Sequence, residues 1–298
     1  MIRLLSASLL VSTALAAANP FDLPQGGSGF KLLKSTATPR DQALSGAGTG
    51  GPGIDLSANP ATDSVGKSAI SAGWVQTYGQ FGGSLQDTRW QVPFGDWNAE
   101  GRLRYEGFSG LPGRDGTDQG TGTYAASTWS AEAGFSAPLP LDGLRAGLIL
   151  GGGMDAVSDA TAWGGWVSGG LRWAPRLFPL GVGLAVENLG MGTPSGVYRE
   201  RLPAVVQLGL SWTQIWGDWT VIPMVDLRQV ADEDFVAPVA LEVQWNGLSL
   251  RTGFPVGRPE ARPSFGLGFL GDSWGIDAGL GWHAALGFAP SGQLTLRF

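Results

Sequence analysis

The chain has 298 residues, a formal net charge of −6, 49 Gly, 13 Trp and no Cys. Without Cys there is no disulfide framework, thiolate metal site, Cys nucleophile or lipid-modified N-terminal Cys. The acidic balance argues against nucleic acid as a partner, and a charged fraction of 15% lies well below the roughly 25% usual for soluble domains.

Residues 1–18 read as a secretory signal peptide. Arg3 supplies the positive n-region, residues 4–15 the short apolar core, and Ala14, Ala16 and Ala18 the small-residue cleavage region. The apolar run is too short to span about 30 Å of hydrocarbon. No later stretch approaches the length of a membrane helix, so any membrane span must be a strand.

Residues 19–66 form an N-terminal segment rich in Gly, Pro and Ser. It is expected to be irregular or plug-like, with short extended pieces near 30–33 and 42–48. Within it, Asn59-Pro60-Ala61 marks a turn, because proline fixes φ and removes a donor. Two compatible roles follow: a rigid corner that launches the next domain, or part of a plug or gate.

Residues 67–298 read as a barrel domain. Candidate strands fall near 67–77, 82–92, 96–107, 123–136, 143–153, 161–173, 180–189, 203–213, 217–228, 235–245, 247–255, 262–270, 274–283 and 290–298. Side chains alternate between two faces with period two. Trp97, Ala99, Leu103 and Tyr105 oppose Asn98, Glu100, Arg102, Arg104 and Glu106; Val239, Leu241, Val243 and Trp245 oppose Ala240, Glu242 and Gln244. The last strand sets Leu294, Leu296 and Phe298 against Gln293, Thr295 and Arg297. Fourteen is an even count, as a bacterial single-chain barrel requires. Trp90 and Trp97 flank one turn, Trp212, Trp216 and Trp219 crowd another, and Trp163 and Trp173 sit near two ends of a strand, as interfacial girdles require. The expected fold is therefore all-β: a transmembrane up-and-down antiparallel β-barrel of about fourteen strands in the outer membrane, in contact with its lipid. The competing reading is a secreted β-sandwich with a Trp-rich core.

Chemistry-bearing motifs are sparse. His283 shares parity with Asp277, but no serine follows in a nucleophile context, and a triad needs base and nucleophile within hydrogen-bond reach. The G-x-G-x-x-G spacings at Gly46, Gly48, Gly51 and at Gly266, Gly268, Gly271 lack a βαβ setting. Asp115 and Asp118, in an expected loop over 111–122, and the acidic run Asp232, Glu233, Asp234 lack the spacing of a known Ca²⁺ loop. Glu100, Arg102, Arg104, Glu106, Glu187, Glu242 and Arg251 have inward parity and are expected to pair across the lumen, since an Arg facing lipid costs roughly 2–4 kcal/mol at mid-depth. No catalytic residue, cofactor or metal site is expected, and the chain reads as a non-enzyme.

Several segments together resemble the PorV/PorQ family of outer-membrane proteins, relatives of the FadL fatty-acid channels. The matching pieces are the small-residue run at 37–48 followed by Asn59-Pro60-Ala61, then Asn188-Leu189-Gly190 followed by Leu202-Pro203. Further on come Leu241-Glu242-Val243, Leu250-Arg251-Thr252-Gly253-Phe254, Gly275-Ile276-Asp277, Leu286-Gly287 and the terminal Phe298. Two departures are visible: the family's Asp-rich stretch is reduced to Asp55, and its Asp-Tyr is Asp277-Ala278. The resemblance implies a fourteen-stranded barrel that docks secretion-system partners or cargo proteins, as in type IX secretion. Its kinship with FadL implies the alternative of a channel for small hydrophobic molecules.

Overall fold

A computed structural model describes residues 27–36, 38–52, 57–63, 66–77, 83–114, 116–195, 198–258, 262–284 and 287–298. The signal-peptide expectation for residues 1–18 lies outside the described residues. Fourteen antiparallel strands close on themselves. They are β1 Ala69–Thr77, β2 Gly83–Phe94, β3 Trp97–Arg114, β4 Gly120–Pro138, β5 Leu144–Val157, β6 Ala160–Trp173 and β7 Leu180–Ser195. β8 comes in three pieces, Tyr198–Arg201, Val205–Trp212 and Gln214–Trp216. Then follow β9 Trp219–Val230, β10 Ala237–Trp245, β11 Leu248–Val256, β12 Ser264–Leu270, β13 Trp274–His283 and β14 Gly287–Arg297.

The three pieces of β8 are one strand because they hold one register. Met191 pairs with Arg201 and Glu187 with Val205 on the β7 side, while Ser211 pairs with Met224 and Gln214 with Val221 on the β9 side. The interruption at Leu202-Pro203-Ala204 follows from Pro203, which has no N–H for the ladder. Closure is made by β14 on β1, with Leu294 opposite Ala72, Leu296 opposite Ile70, and the Phe298 N–H donating to the Ser68 carbonyl at 3.0 Å. Leu294, Leu296 and Phe298 all point outward.

The period-two pattern sorts the two faces. Glu100, Arg102, Arg104, Glu106 and Glu242 are buried inside, while Trp97, Leu103, Leu241 and Trp245 are exposed outside. Among the described residues, the outward strand positions between the two aromatic belts carry no Asp, Glu, Lys or Arg. At one end, two-residue turns bring aromatics together: Phe94 pairs with Trp97, Trp216 with Trp219, and Trp219 stacks on Trp245 at 5.5 Å. Asn246 and Gly247 both take positive φ there, as a type I′ hairpin turn demands. At the other end Tyr105 meets Trp129 at 4.4 Å and Trp282 stacks on Phe288 at 5.6 Å. A bilayer-thick apolar band between two aromatic girdles is the outer surface of a membrane-spanning barrel. The sandwich alternative is overturned, since a single closed sheet has no second sheet to pack against.

Two expectations are corrected. The span 111–122 is not a long loop: Leu111 pairs with Tyr124, Pro112 with Thr123 and Gly113 with Gly122, so β3 and β4 continue past the neighbours that end at Gly107 and Ala126. The turn is confined to the residues between Arg114 and Gly120, where Asp118 adopts φ +64° and pairs with Arg114 at 2.9 Å; Asp115 lies outside the described residues. The extended pieces expected near 30–33 and 42–48 are instead a 3₁₀ turn, Lys31–Lys34, and a short helix α1, Pro39–Ala43. Thr38 caps α1, its Oγ1 accepting from the Asp41 N–H at 3.0 Å, with proline in the first turn.

Candidate functional site: the occupied lumen

The lumen is where the inward charges converge, and the N-terminal segment runs through it. Its path can be followed contact by contact. Ser28 donates its N–H (3.0 Å) and hydroxyl (2.7 Å) to Asp232, in the loop joining β9 and β10, and the Phe30 N–H reaches Asp155 near the end of β5. Arg104 donates to the Leu32 carbonyl at 3.3 Å. From there α1 crosses to the opposite wall: Arg40 meets Glu242 at 2.7 Å, Gln42 donates to the Ala289 carbonyl at 2.8 Å, and Ser291 donates to Gln42 at 2.6 Å. The Gly48 and Thr49 N–H groups then donate to Asp226 of β9 at 3.0 and 2.9 Å. Last, Thr62 lies against Ser136, and Arg145 donates to the Thr62 carbonyl at 2.6 Å, close to the end of the barrel where β1 begins. The segment therefore enters at the loop end and descends in a turn around the inner wall to the hairpin end.

This path accounts for much of the glycine. A Cβ on Gly183 would sit 1.8 Å from the Thr49 carbonyl oxygen, and one on Gly147 would sit 1.8 Å from that of Pro60. The wall is bare where the segment's backbone lies on it, which is the use of glycine at close approach.

Besides Arg172 and Arg145 around Asp63, the walls carry two larger groups of ion pairs. On one side Asp87 pairs with Arg89 and Arg102 (2.7 Å), and Glu132 accepts from Arg104 at 2.8 Å and from the Trp166 indole at 3.1 Å. On the other, Glu242 takes Arg40 and Arg251 (2.8 Å) together, and Arg251 also pairs with Asp277. Buried charge is tolerated only when paired and hydrogen-bonded, and each group supplies opposite signs. The inward placement of Glu100, Glu106 and Glu187 was legible from parity, as was that of Arg102, Arg104, Glu242 and Arg251, which pair with adjacent strands and with the segment rather than wall to wall across the lumen as expected. Their partners Asp87, Glu132 and Arg40 were not read from the pattern, although Asp87 and Glu132 lie on the same inward parity as their neighbours.

Apolar clusters pin the segment between these groups. Phe30 is fully buried edge-on to Trp166 at a centroid distance of 6.4 Å, with Leu33, Ala162 and Leu202. Leu44 and Ala47 pack on Ile222 and Met224. A pocket of about 70 Å³ remains between segment and wall, lined by Lys34, Arg104, Glu132, Glu187 and Arg228 among others. That volume holds a few waters.

Each singled-out motif has a definite place. Asn59 is buried in the lumen, its side-chain amide donating to the Thr49 carbonyl (2.9 Å) and the Leu171 carbonyl (3.1 Å) while its Oδ1 accepts from the Ala61 N–H (2.9 Å). Pro60 and buried Ala61 follow against β5 and β6. Asn188 sits in a bulge of β7, where the register slips between Val167 and Gly169, and takes φ +58°. Its N–H goes to Ser168 (3.0 Å) and its amide to the Pro203 carbonyl (3.2 Å), so it ties the bulge to the break in β8. Leu189 pairs back onto Val167, and Gly190 packs so closely that a Cβ would meet the Gly165 carbonyl oxygen at 2.0 Å. Asp277 is spent on Arg251, and His283 pairs in register with Gly287, so no His–Asp relay is assembled from them. Gly46, Gly48 and Gly51 follow α1 rather than precede a helix, and Gly266 and Gly268 lie in β12. Asp232 serves the segment: it takes Lys34 at 3.0 Å, and Lys34 also meets Glu233 at 3.2 Å. Burial alone would raise the Asp232 carboxyl, but hydrogen bonds from Ser28 and Lys34 hold it below the ordinary carboxylate range. Among the described residues no cluster of three or more His, Asp or Glu has metal-binding geometry.

No protein-family model matches the chain, and a search of curated proteins finds no match. Solved structures with a similar fold include CdiB from Acinetobacter baumannii (10% identity, 78% of this chain, TM-score 0.42). Another is the Acinetobacter baumannii outer membrane protein Omp33 (9% identity, 79% of this chain and 99% of that one, TM-score 0.46). A third is the KdgM porin (8% identity, 77% of this chain and 99% of that one, TM-score 0.37). The chain spans 60% of the length of CdiB. The fold itself is a closed fourteen-stranded antiparallel β-barrel, with the apolar band and aromatic girdles of a membrane-spanning wall.

Proposed function

We propose that this protein is a non-enzymatic outer-membrane barrel of the PorV/PorQ type, which docks secretion-system partners or cargo through its rims and loops. The observation that carries the reading is the occupied lumen. The described residues between Ser28 and Asp63 contact the inner wall from one end of the lumen to the other, and charged pairs stand on the wall on both sides. A FadL-like channel for small hydrophobic molecules needs a continuous apolar path, and the ion pairs around Asp87, Glu132 and Glu242 stand across it. With strands committed to lipid and lumen, loops and rims are where such a barrel meets partners. Five neighbouring strands, β3 to β7, run 14 to 19 residues against the 9–11 needed to cross a bilayer, so one side of the loop end stands tall.

The test is chemical cross-linking in outer membranes followed by affinity capture, with single-channel recording on the same purified barrel. Secretion components or their cargo in the capture, with a barrel that conducts little, support the reading. A clean preparation with steady conductance and uptake of a fatty acid overturns it in favour of the channel.

A further inference from the structure

Near its loop end the barrel wall parts, and the N-terminal segment fills the parting. As far as Val205 and Val230, β8 and β9 are paired in register. Just beyond, the Ala231 N–H donates to the Ala204 carbonyl at 2.9 Å, and there the ladder between the two strands stops. The first piece of β8, Tyr198–Arg201, pairs as a strand with β7 alone among the described residues. Pro203, which cannot donate to a ladder, stands where the strands separate. Ser28 and Gly29 bridge the opening. The Gly29 N–H donates to the Arg201 carbonyl at 3.0 Å, while the Ser28 N–H and hydroxyl go to Asp232 in the β9–β10 loop. The segment's own backbone thus satisfies part of an edge that the sheet leaves open.

A clasp of charges holds this place. Lys34 pairs with Asp232 at 3.0 Å and with Glu233 at 3.2 Å, and Glu233 pairs in turn with Arg258, just after β11. Burial changes sharply across the clasp: Phe30 and Ser28 are buried, whereas Gly27 is exposed. The lumen beneath is filled by Phe30, Leu33, Trp166 and Leu202, so the open direction at Gly27 is outward.

The parting lies at the end where β3 and β4 run on past the Tyr105–Trp129 contact to Arg114 and Gly120. In bacterial barrels the longer extensions face the exterior and the short turns the periplasm. We infer that the chain ahead of Gly27 passes out through this parting and is displayed at the cell surface, with the β9–β10 clasp as its anchor. The inference rests on the outer-membrane placement proposed above and adds a direction to it. The segment runs from outside to inside, and a partner at the surface can reach the chain that fills the lumen.

The chain has no Cys, so single cysteines report position without background. Three are placed one at a time in the full-length protein in cells. Gln25→Cys lies ahead of the parting, Gln119→Cys on the β3–β4 turn marks the outer side, and Asp218→Cys in the β8–β9 turn marks the inner side. The probe is a polyethylene-glycol maleimide too large to cross the outer membrane. Gln25→Cys and Gln119→Cys should shift on gels from intact cells, and Asp218→Cys only after the membrane is permeabilised. Gln25→Cys that reacts only after permeabilisation, or in neither condition, overturns the display and leaves the placement standing. Gln119→Cys silent in intact cells sinks both. A double variant, Ser28→Cys with Asp232→Cys, locates the parting itself, because these side chains touch at 2.7 Å. It should form a reductant-sensitive cross-link; a pair that stays reduced under oxidant, in a barrel whose heat-modifiable migration is native, overturns the exit route.

Discussion

Gly183→Ala tests whether the N-terminal segment is held by the wall or merely rests in the lumen. The new Cβ would lie 1.8 Å from the Thr49 carbonyl oxygen, about 1.6 Å short of the 3.4 Å at which ordinary contact begins. Neither backbone can yield alone: Gly183 is paired with Gly209 and Arg172, and Thr49 is tied to Asp226 and Asn59. Overpacking of this kind costs roughly 1–3 kcal/mol. Displacing Thr49 also strips N–H donors from buried Asp226, and hydrogen bonds to charged groups are worth about 1.5–3 kcal/mol each. A net weakening of roughly 2.5–6 kcal/mol in the segment's attachment follows from these two terms. The barrel itself keeps its ladder, so its heat-modifiable migration stays native. What changes is access: protease added to the purified protein cleaves within residues 46–52 far faster than in the wild type, and single-channel conductance rises. Unchanged cleavage and unchanged conductance would falsify the claim that the glycine wall positions the segment.

Three further outcomes follow from the same contacts. Glu242→Gln leaves Arg40 and Arg251 facing each other without their shared carboxylate; breaking a buried pair costs about 3–5 kcal/mol, read as a lower urea midpoint in liposomes. Leu241→Arg turns an outward mid-strand position ionic and should cost roughly 2–4 kcal/mol in the same assay, whereas a soluble protein would tolerate the change at this exposed site. The Asp232 carboxyl titrates below its ordinary value in the folded chain, so its hold on Ser28 and Lys34 is complete above the unfolded value near 3.8 and fades as pH falls through the lower folded one. Cleavage near residue 28 should therefore rise only in strong acid, and Asp232→Asn should show the raised cleavage at neutral pH with no acid step.

Strand number, strand order and the two faces were legible because a lipid solvent writes a rule into every other residue. Trp97, Leu103, Leu241 and Leu294 had to be apolar, and charges on the opposite parity had to point inward. The Thr38-Pro39-Arg40-Asp41 start of α1 also carried a capping signal in plain view, masked by its small-residue surroundings. The length of β3 and β4 was hidden because Gly110, Pro112 and Gly113 read as breakers, while the pairing of residues 111–113 with residues 122–124 depends on a partner strand. The roles of Asn59 and Asn188 were equally invisible, since each bonds carbonyls supplied by residues far along the chain.

Local periodicity and solvent thus determined by themselves that this chain forms a closed membrane barrel with a charged interior. Only the tertiary structure decided which charges meet, where the N-terminal segment threads, and why bare glycines line its track. Those are properties of side chains brought together across the lumen from distant positions, as with Arg40 and Glu242 or Thr49 and Gly183. No alternation within one strand encodes the distance between two walls.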